Sequence, residues 1–414
     1  MTTVGLAYEQ LETEGYVVSR PQSGFYVSTI PELKETGGKV PEQPSEQPEQ
    51  TAEQRANFLY DPDSFDFRTW KKCISRVYSE CTHELFSKSE AQGEAALRRE
   101  IARYVYSSRG VHASAEQVVV AAGTQQLVSH LCRILKIAGI EHISVEKPGY
   151  DPVRRMFRDN GFSLADIPVK NDGIETDLLP ANLPSAVYVC PANQFPTGAV
   201  MSAAKRYAIL EWAKKNHSYI IEDDYDSPLR YFGRPIPALQ GLDREERVVY
   251  LGSFSSTLFP AIRISYMVLP APLLSIFRSF RDGYTQTCSK TEQLALAFFM
   301  EEGAYESNIR KLRTLYARKL QTALRAFRRY GSSHVVPYDT KSGVILVICV
   351  KGITDADALC RQGAEMGIRI APFPEGGDPE DGQRFIIYYN QIPMAMLEAR
   401  IRALCGAFFS EDAL

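Results

Sequence analysis

Polar side chains follow two strand-like runs near the middle of the chain. Asp223 and Tyr225 come just after the run YIIE, and Ser253 and Ser255 come just after the run VVYLG, with Arg263 a few residues further on. In open α/β sheets, ligands bind beyond the carboxyl ends of the strands, so we expect these side chains to lie close together. Together they offer a carboxylate, a phenol, two hydroxyls and a guanidinium, which predicts an anion cradle beside a carboxylate.

A third segment could complete this cradle. Gly123 and Thr124 follow the first strand-like run and open a predicted helix over Gln125 to Ile137. Backbone N–H groups and the positive end of a helix bind phosphate at such a position. An ordinary helix cap explains the short AGTQQ sequence equally well. Taken singly, each Asp or Arg of the set is also compatible with a surface ion pair.

The elements that must position these residues alternate along the chain. Helical patterns such as Ser202 to Lys215 separate short runs that are apolar throughout, as in strands covered on both faces, which predicts a mostly parallel α/β sheet. The runs are Val118 to Ala121, His142 to Val145, Val187 to Cys190, Tyr219 to Ile221, Val248 to Leu251 and Tyr266 to Leu269. A long helical stretch, Glu292 to Tyr330, and strand-like Gly343 to Val350 and Arg384 to Tyr389 then predict a smaller α+β domain.

Composition excludes several classes of protein. The 414 residues, 44% of them hydrophobic and 23% charged, are typical of a globular protein of two or three domains. We expect a cytoplasmic protein with no membrane partner, because the sequence contains neither an apolar run long enough for a membrane span nor a signal segment. The net charge of −3 means that any contact with DNA would need a local basic patch. Eight cysteines without a CxxC pair predict buried free thiols rather than disulfides or a metal site.

The N-terminal part is set apart by a segment rich in Pro, Glu and Gln. This segment, 31–55, predicts a stiff linker between residues 1–30 and the body of the chain. Before it, the pattern predicts an amphipathic helix over Thr3 to Glu14 and a hairpin over Val17 to Ser28 with Arg20 at a basic tip. A helix followed by a hairpin is either half of a winged helix or an N-terminal addition to an enzyme.

The N-terminal sequence TTVGLAYEQLETEGYVVSRPQSGFYV resembles the end of a GntR-type winged helix-turn-helix. The resemblance implies that Thr2, Thr3 and Tyr8 lie on or near the DNA-facing helix and that Arg20 contacts phosphate from the wing. The family has two further helices before this point. We expect them to lie upstream of Met1 in a longer natural chain, and a decayed DNA-binding module is the alternative.

The body resembles fold type I pyridoxal-phosphate enzymes, and in particular the aminotransferase-like part of MocR-type regulators. The resemblance implies a large domain over 56–280, a small C-terminal domain over 281–414, pyridoxal phosphate as cofactor and a homodimer. The segments that carry it are VEKPGYDPVRRMF, VYVCPANQFPTGAVMS, YIIEDDYDSPLRYFGRPIPALQGLD, VVYLGSFSSTLFPAIRISYMVLP and FMEEGAYESNIRKLRTLY.

The resemblance assigns roles to single residues. Asp223 would pair with the pyridine nitrogen of the cofactor and Tyr225 would donate to its ring oxygen. Phosphate ligands would come from Thr124, Ser253 and Arg263, and Ser255 is a further cofactor-binding residue. Three further residues would complete the site: Tyr150 stacked on the ring, Asn193 near the ring oxygen where the family more often has His, and Arg384 on the effector carboxylate.

Two positions depart from the family. The family motif GTFSKTLFP holds the lysine that binds the cofactor covalently, and here the sequence GSFSSTLFP places Ser256 at that position. A hydroxyl cannot form an imine, so we expect non-covalent binding and no ordinary transamination. Ser256 is either the natural residue or a substitution. Lys88 replaces a tyrosine that reaches the partner subunit's phosphate, and it would pair with that phosphate, replace the lost lysine across the dimer, or remain solvated.

These observations predict a transcriptional regulator that binds DNA and senses a small amino compound through pyridoxal phosphate. An aminotransferase is the first alternative, and the missing lysine at Ser256 argues against it. A cofactor-free dimeric relative is the second alternative. The retained Asp223, Tyr225 and Arg263 argue against that one, because an empty site would leave their charges poorly paired.

Overall fold

The computed structural model describes residues 3–29, 61–230, 236–338, 343–353, 355–374 and 382–408. The chain forms two compact units, Met1–Thr51 and Ala52–Leu414, which are described separately. The linker predicted over 31–55 lies outside the described residues, as does Thr2.

The N-terminal unit contains one helix and one hairpin, at the positions that the sequence predicts. Helix α1 (Thr3–Thr13) is followed by strands β1 (Val17–Arg20) and β2 (Gly24–Val27), which pair antiparallel. The hairpin packs on the helix through stacked rings of Tyr8 and Phe25, whose centroids are 4.8 Å apart. Within residues 3–29 only Val17 is buried, so the two elements have little apolar core of their own.

The second unit begins with helices and a large sheet. Its first helices are α2 (Phe67–Glu80), α3 (Thr82–Leu85) and α4 (Ala95–Arg109). The sheet contains β3 (Val118–Ala121), β4 (His142–Lys147), β5 (Ser163–Lys170), β6 (Gly173–Ile174), β7 (Ala186–Val189), β8 (Tyr219–Asp223), β9 (Val248–Ser253) and β10 (Ser265–Val268). The helices among and after these strands are α5 (Thr124–Ile137), α6 (Asp151–Asp159), α7 (Ala203–Lys215), α8 (Leu239–Leu242) and α9 (Ala271–Phe280).

The strands of this sheet lie in the order β3-β10-β9-β8-β7-β4-β5-β6. Strands β5, β4, β7, β8 and β9 pair in parallel, whereas β10 runs antiparallel to both of its neighbours and β6 runs antiparallel to β5. Buried apolar side chains cover both faces of the sheet. The predicted α/β fold with a mostly parallel sheet is therefore confirmed, with β10 as an antiparallel insertion that the sequence does not signal.

The C-terminal part carries a second, smaller sheet. Helices α10 (Lys290–Glu301) and α11 (Ala304–Tyr330) lead to strands β11 (Val335–Pro337) and β12 (Leu346–Val350), followed by α12 (Ala356–Glu365), β13 (Ile370–Pro372), β14 (Gln383–Ile387) and α13 (Leu397–Ala407). All pairs in the sheet, ordered β11-β12-β14-β13, are antiparallel. The prediction of one helical stretch over Glu292 to Tyr330 is wrong, because Gly303 adopts a φ of +70° and separates α10 from α11.

Two further expectations concern free cysteine thiols and membrane-spanning helices. All eight cysteines are free; seven of them are buried, and Cys360 is half-buried. Within the described ranges no helix is both long and apolar enough to cross a membrane.

Candidate functional site

A cavity of about 430 Å³ lies at the carboxyl ends of strands β8 and β9, the place that the sequence predicts. Its volume is within the range of small-molecule sites, about 300–1,000 Å³. The lining brings together most of the residues singled out in the sequence, namely Thr124, Tyr150, Asp223, Tyr225, Ser253, Ser255, Ser256 and Arg263. The others that line it are Gln125, Pro152, Cys190, Phe195, Ser265, Val344, Ile345, Arg369 and Tyr388.

Asp223 forms the acidic wall of this cavity. It is the last residue of β8, is 6% exposed, and accepts a short hydrogen bond from the hydroxyl of Tyr188 on the neighbouring strand β7. Burial raises the pKa of its carboxyl to about 6. In the described part of the chain, no Lys, Arg or His nitrogen lies within 4.0 Å of it. The cavity thus contains a buried carboxylate that has no cation partner in the described part of the chain.

Another part of the cavity lining is an anion cradle. Gly123 adopts a φ of +87° and caps helix α5, and no described side chain accepts a hydrogen bond from the first N–H groups of that helix. The Arg263 guanidinium lies so close to Gly123 that a Cβ there would collide with it. Among described residues no carboxylate is within ion-pair distance of Arg263. The helix end and the guanidinium therefore both present positive charge to the cavity.

Two serines lie within this cradle. The Ser253 Oγ accepts hydrogen bonds from the Ser265 Oγ at 3.0 Å and from the backbone N–H of Ser255 at 3.3 Å. The Ser255 Oγ is buried and has no hydrogen-bond partner among the described residues. A buried hydroxyl without a partner is costly, so this atom is available to an oxygen-rich ligand.

Ser256 occupies the position of the family lysine and faces the same cavity. Its Oγ donates a 2.9 Å hydrogen bond to the backbone carbonyl of Tyr225. The Tyr225 hydroxyl in turn accepts from the Asn193 amide at 3.4 Å, and the same amide group donates to Asp226 at 2.6 Å. Asn193 itself does not line the cavity but contacts the lining residue Tyr225, so its place near the ring oxygen of the cofactor stays a prediction.

The outer rim is aromatic and basic. Tyr150 is 42% exposed and makes an edge contact with Phe195, with ring centroids 6.0 Å apart. The Arg369 guanidinium lies 4.2 Å from the ring centre of Tyr388, and both residues line the cavity. Arg369 immediately precedes β13, and nothing in its sequence context singles it out.

Arg384, the residue that the sequence assigns to an effector carboxylate, does not reach this cavity. It lies on β14 opposite Cys349, and its guanidinium stacks 4.3 Å from the ring centre of Phe373. There it lines a separate cavity of about 420 Å³ together with Lys170. Side chains alternate along β14, where the neighbouring Phe385 packs into the core of the small domain and Arg384 lies on the face of the second cavity. The guanidinium that lines the first cavity is that of Arg369.

The remaining predicted residues lie elsewhere. Lys88 is exposed and does not line the cavity of its own chain; its carbonyl accepts a hydrogen bond from Lys290 at 3.0 Å. In the N-terminal unit, Thr3 begins α1, and Tyr8 is half-covered by Phe25 of the hairpin. Arg20 ends strand β1 at the hairpin tip, where its guanidinium lies 4.7 Å from the ring centre of Tyr26.

Comparison with known proteins assigns the family. The family model "Aminotransferase class I and II" matches residues 57–377. The chain is 31% identical to the probable rhizopine catabolism regulatory protein MocR of Rhizobium meliloti, over 99% of this chain and 86% of that protein. It belongs to the MocR family of aminotransferase-like regulators. A HTH-type transcriptional regulator of Bacillus subtilis, YdeL, is 37% identical over 90% of this chain and 80% of its own length.

Solved structures similar to this MocR-family chain share its fold. The multiple substrate aminotransferase of Thermococcus profundus has a TM-score of 0.71 at 24% identity and covers 84% of this chain and 89% of its own. An archaeal alanine:glyoxylate aminotransferase has a TM-score of 0.74 at 21% identity, with 86% and 90% covered. The expected fold type I architecture is therefore confirmed for the body.

The cavity of this family member fits pyridoxal phosphate on three observations. Asp223 is a buried carboxylate without a cation partner among the residues that the structure describes, which suits a protonated pyridine nitrogen. The Ser255 Oγ is a buried hydroxyl without a hydrogen-bond partner in the described ranges, and the Arg263 guanidinium lies against the backbone of Gly123, which suits a phosphate. Sequence reasoning missed Tyr188, although its hydroxyl within the apolar run VYVC was a signal that could have been read.

Proposed function

We propose that this chain is a DNA-binding transcriptional regulator whose aminotransferase-like body binds pyridoxal phosphate without a covalent bond and senses a small amino compound. One observation carries the proposal: the cavity keeps its carboxylate and its anion cradle while Ser256 stands at the lysine position. The names of relatives such as the MocR protein of Rhizobium meliloti support a regulatory role.

The residues of the chain would hold the cofactor at its two ends. When bound, pyridoxal phosphate supplies an aldehyde and an electron-withdrawing ring. The Asp223 carboxylate would hold a proton on the pyridine nitrogen, because a buried charge is most stable beside an opposite charge. The phosphate would accept from the first N–H groups of α5, from Arg263 and from the Ser255 hydroxyl. Tyr150 would cover the exposed face of the ring.

An amino compound with a carboxylate fits the remaining space. Arg369 is exposed at the rim of the cavity and has no carboxylate within ion-pair distance among the described residues. A guanidinium there would bind a carboxylate through two parallel hydrogen bonds. We therefore transfer the role first assigned to Arg384 to Arg369, and expect the effector to be an amino acid.

Turnover is not expected at this site. The described lining of the cavity includes no lysine, so no lysine of the same chain is positioned there to bind the cofactor or to carry a proton between carbon atoms. The Ser256 hydroxyl is already engaged with the Tyr225 carbonyl and titrates far outside the neutral range. Binding of the effector would therefore act by shifting a conformational equilibrium rather than by chemistry.

DNA binding is proposed for the N-terminal unit and a homodimer for the body. Helix α1 and the hairpin tip with Arg20 have the order of a recognition helix and a wing. The match to the HTH-type transcriptional regulator TauR of Rhodobacter capsulatus extends over 98% of this chain and therefore includes this unit. Light scattering on the purified chain tests the dimer.

A titration with pyridoxal phosphate tests the proposal. Purified protein and its Ser256→Lys variant are titrated while protein fluorescence and visible absorbance are recorded. We expect saturable binding to both proteins, and the absorbance band of a covalently attached cofactor only in the lysine variant. An Arg263→Gln variant is the control, because it removes the phosphate partner but leaves Asp223 in place. Lack of saturable binding by the original protein would contradict the proposal and favour a cofactor-free scaffold.

A further inference from the structure

One face of helix α11 is strongly basic. Six side chains on it are exposed and positively charged: Arg310, Lys311, Arg318, Arg325, Arg328 and Arg329. At about 100° per residue, all six fall within an arc of about 100° around the helix axis. At about 1.5 Å per residue they extend over roughly 28 Å. We call this set of six residues the arginine stripe.

The charge of the arginine stripe is not neutralised by nearby carboxylates. Within the described ranges, only Arg329 has a carboxylate partner, Glu398 at 3.7 Å, and both side chains are more than half exposed. An exposed pair of this kind contributes little. The helix has one acidic residue, Glu306, and it lies outside the arc. The opposite face of α11 is buried in the core of the small domain through residues such as Leu320 and Phe327, so the helix holds the stripe rigidly.

The chemistry of the stripe favours phosphate as its partner. Five of the six residues are arginine, whose planar guanidinium matches phosphate oxygens in pairs. The side chains interspersed in the arc are polar, such as Thr314 and Gln321. A membrane surface would require apolar side chains on the same face, and the arc has none of them exposed. A straight row of about 28 Å corresponds to roughly eight base pairs of DNA at 3.4 Å each.

We propose that the arginine stripe on α11 binds the phosphate backbone of DNA, as a second contact surface in addition to the N-terminal unit. This inference rests on the proposed DNA-binding function. The overall charge of −3 makes a concentrated basic row on the body unexpected unless it has an anionic partner. Backbone contacts of this kind position a protein on DNA and increase affinity, but they do not read sequence.

The salt dependence of DNA binding tests the stripe. The full chain is titrated against a fluorescent 60-base-pair duplex of mixed sequence at several salt concentrations. Each phosphate contact contributes about 0.9 to the slope of log affinity against log salt. We expect the triple variant Arg318→Gln, Arg325→Gln, Arg328→Gln to lower the slope by about 2–3 and to weaken binding at least about tenfold at 0.1 M salt.

A matched control removes three exposed basic residues from another helix. The variant Arg68→Gln, Lys71→Gln, Lys72→Gln on α2 has the same change in net charge, and we expect it to keep the slope of the original protein. All these residues are exposed, so thermal unfolding should be unchanged in both variants. The inference is overturned if the stripe variant keeps the original slope, or if both triple variants lose the same amount.

Two other results separate this inference from the proposed function. If the original chain binds no DNA at any salt concentration, the proposed DNA-binding function itself is contradicted, and the stripe proposal fails with it. A parallel titration uses poly-glutamate as a model of an acidic protein. If the original chain binds DNA and the stripe variant loses affinity for poly-glutamate but not for DNA, the stripe binds an acidic protein partner and the DNA proposal is overturned. An Arg20→Gln variant of the wing should lower the DNA slope by about 1 whichever result the stripe gives.

Discussion

Two consecutive residues at the end of strand β8 have opposite electrostatic environments. Asp224 forms a buried ion pair with Arg109 at 2.7 Å and accepts from the Tyr250 hydroxyl at 2.5 Å. Asp223 points to the other face of the sheet, where its described polar contact is the neutral hydroxyl of Tyr188. Among the described residues, Asp224 therefore has a cation partner and its neighbour Asp223 has none.

A third buried carboxyl group, that of Glu146, is neutralised in another way. Glu146 on β4 is fully buried and accepts hydrogen bonds at 3.2 Å from the backbone N–H of Cys190 and from the Gln194 amide. Burial raises the pKa of this carboxyl to about 8, so it holds a proton at neutral pH. Asp224 is compensated by a cation and Glu146 by a proton. The carboxylate of Asp223, at the wall of a cavity, is available to pair with the positive charge of a ligand.

The largest expected effect comes from removing the cation beside Asp224. Arg109→Met leaves a buried carboxylate without its partner, so we expect the free energy of unfolding to fall by about 3–5 kcal/mol. Asp223→Asn is the matched control, and we expect it to leave the unfolding free energy unchanged or higher at pH 7. Urea denaturation measures both. An equal loss of unfolding free energy in the two variants would contradict the difference proposed between the two carboxylates.

A second prediction concerns the pH dependence that Glu146 confers. Its pKa is about 8 in the folded protein and about 4.5 in an ordinary setting, so the folded state retains a proton that the unfolded chain releases. The contribution of Glu146 to the free energy of unfolding is therefore complete below about pH 4.5. It decreases as the pH rises towards 8, by up to roughly 4 kcal/mol. Glu146→Gln should remove this decrease. Urea titrations at pH 5 and pH 8 check it, and an unchanged pH dependence in the variant would contradict the assignment.

A third prediction concerns the affinity for pyridoxal phosphate. Asp223→Asn removes the charge that would pair with the pyridine nitrogen, so we expect the dissociation constant to increase about 10–100-fold, the loss of one charge-assisted contact. In the original protein the carboxyl takes up a proton below pH 6, since its pKa is about 6. Affinity should therefore fall as the pH is lowered through 6, and Asp223→Asn should lack this part of the pH profile. Fluorescence titrations from pH 5 to pH 8 measure it.

The smallest effect is expected at Tyr188. Its hydroxyl hydrogen-bonds to the Asp223 carboxylate and stabilises the ionised form, so Tyr188→Phe should weaken cofactor binding about fivefold. The same change should move the acidic midpoint of the affinity profile to higher pH, because the loss of the donor raises the pKa of Asp223. A structural role alone would lower stability without moving this midpoint.

Most of the fold and much of the site could be predicted from the sequence, because local patterns and motifs carry them. The strands that lead to Asp223 and Ser253 are continuous apolar runs with polar residues at their ends, and the structure brings these residues into one cavity. Arg369 could not be predicted, because its side chain reaches the cavity through the pairing of β13 and β14 in the small domain. The different environments of Asp223 and Asp224 could not be predicted either, because Arg109, the partner of Asp224, is distant in sequence.

The most direct test of the central claim takes the protein incubated with pyridoxal phosphate and compares its native mass spectrum, recorded before borohydride is added, with its denaturing mass spectrum, recorded after borohydride treatment. Non-covalent binding at the Ser256 cavity predicts one cofactor per chain in the native spectrum and the mass of the unmodified chain after denaturation. The Ser256→Lys variant should retain the reduced adduct after denaturation. A stable adduct on the original chain, at Lys88 or any other lysine, or no bound cofactor in the native spectrum, would contradict the account.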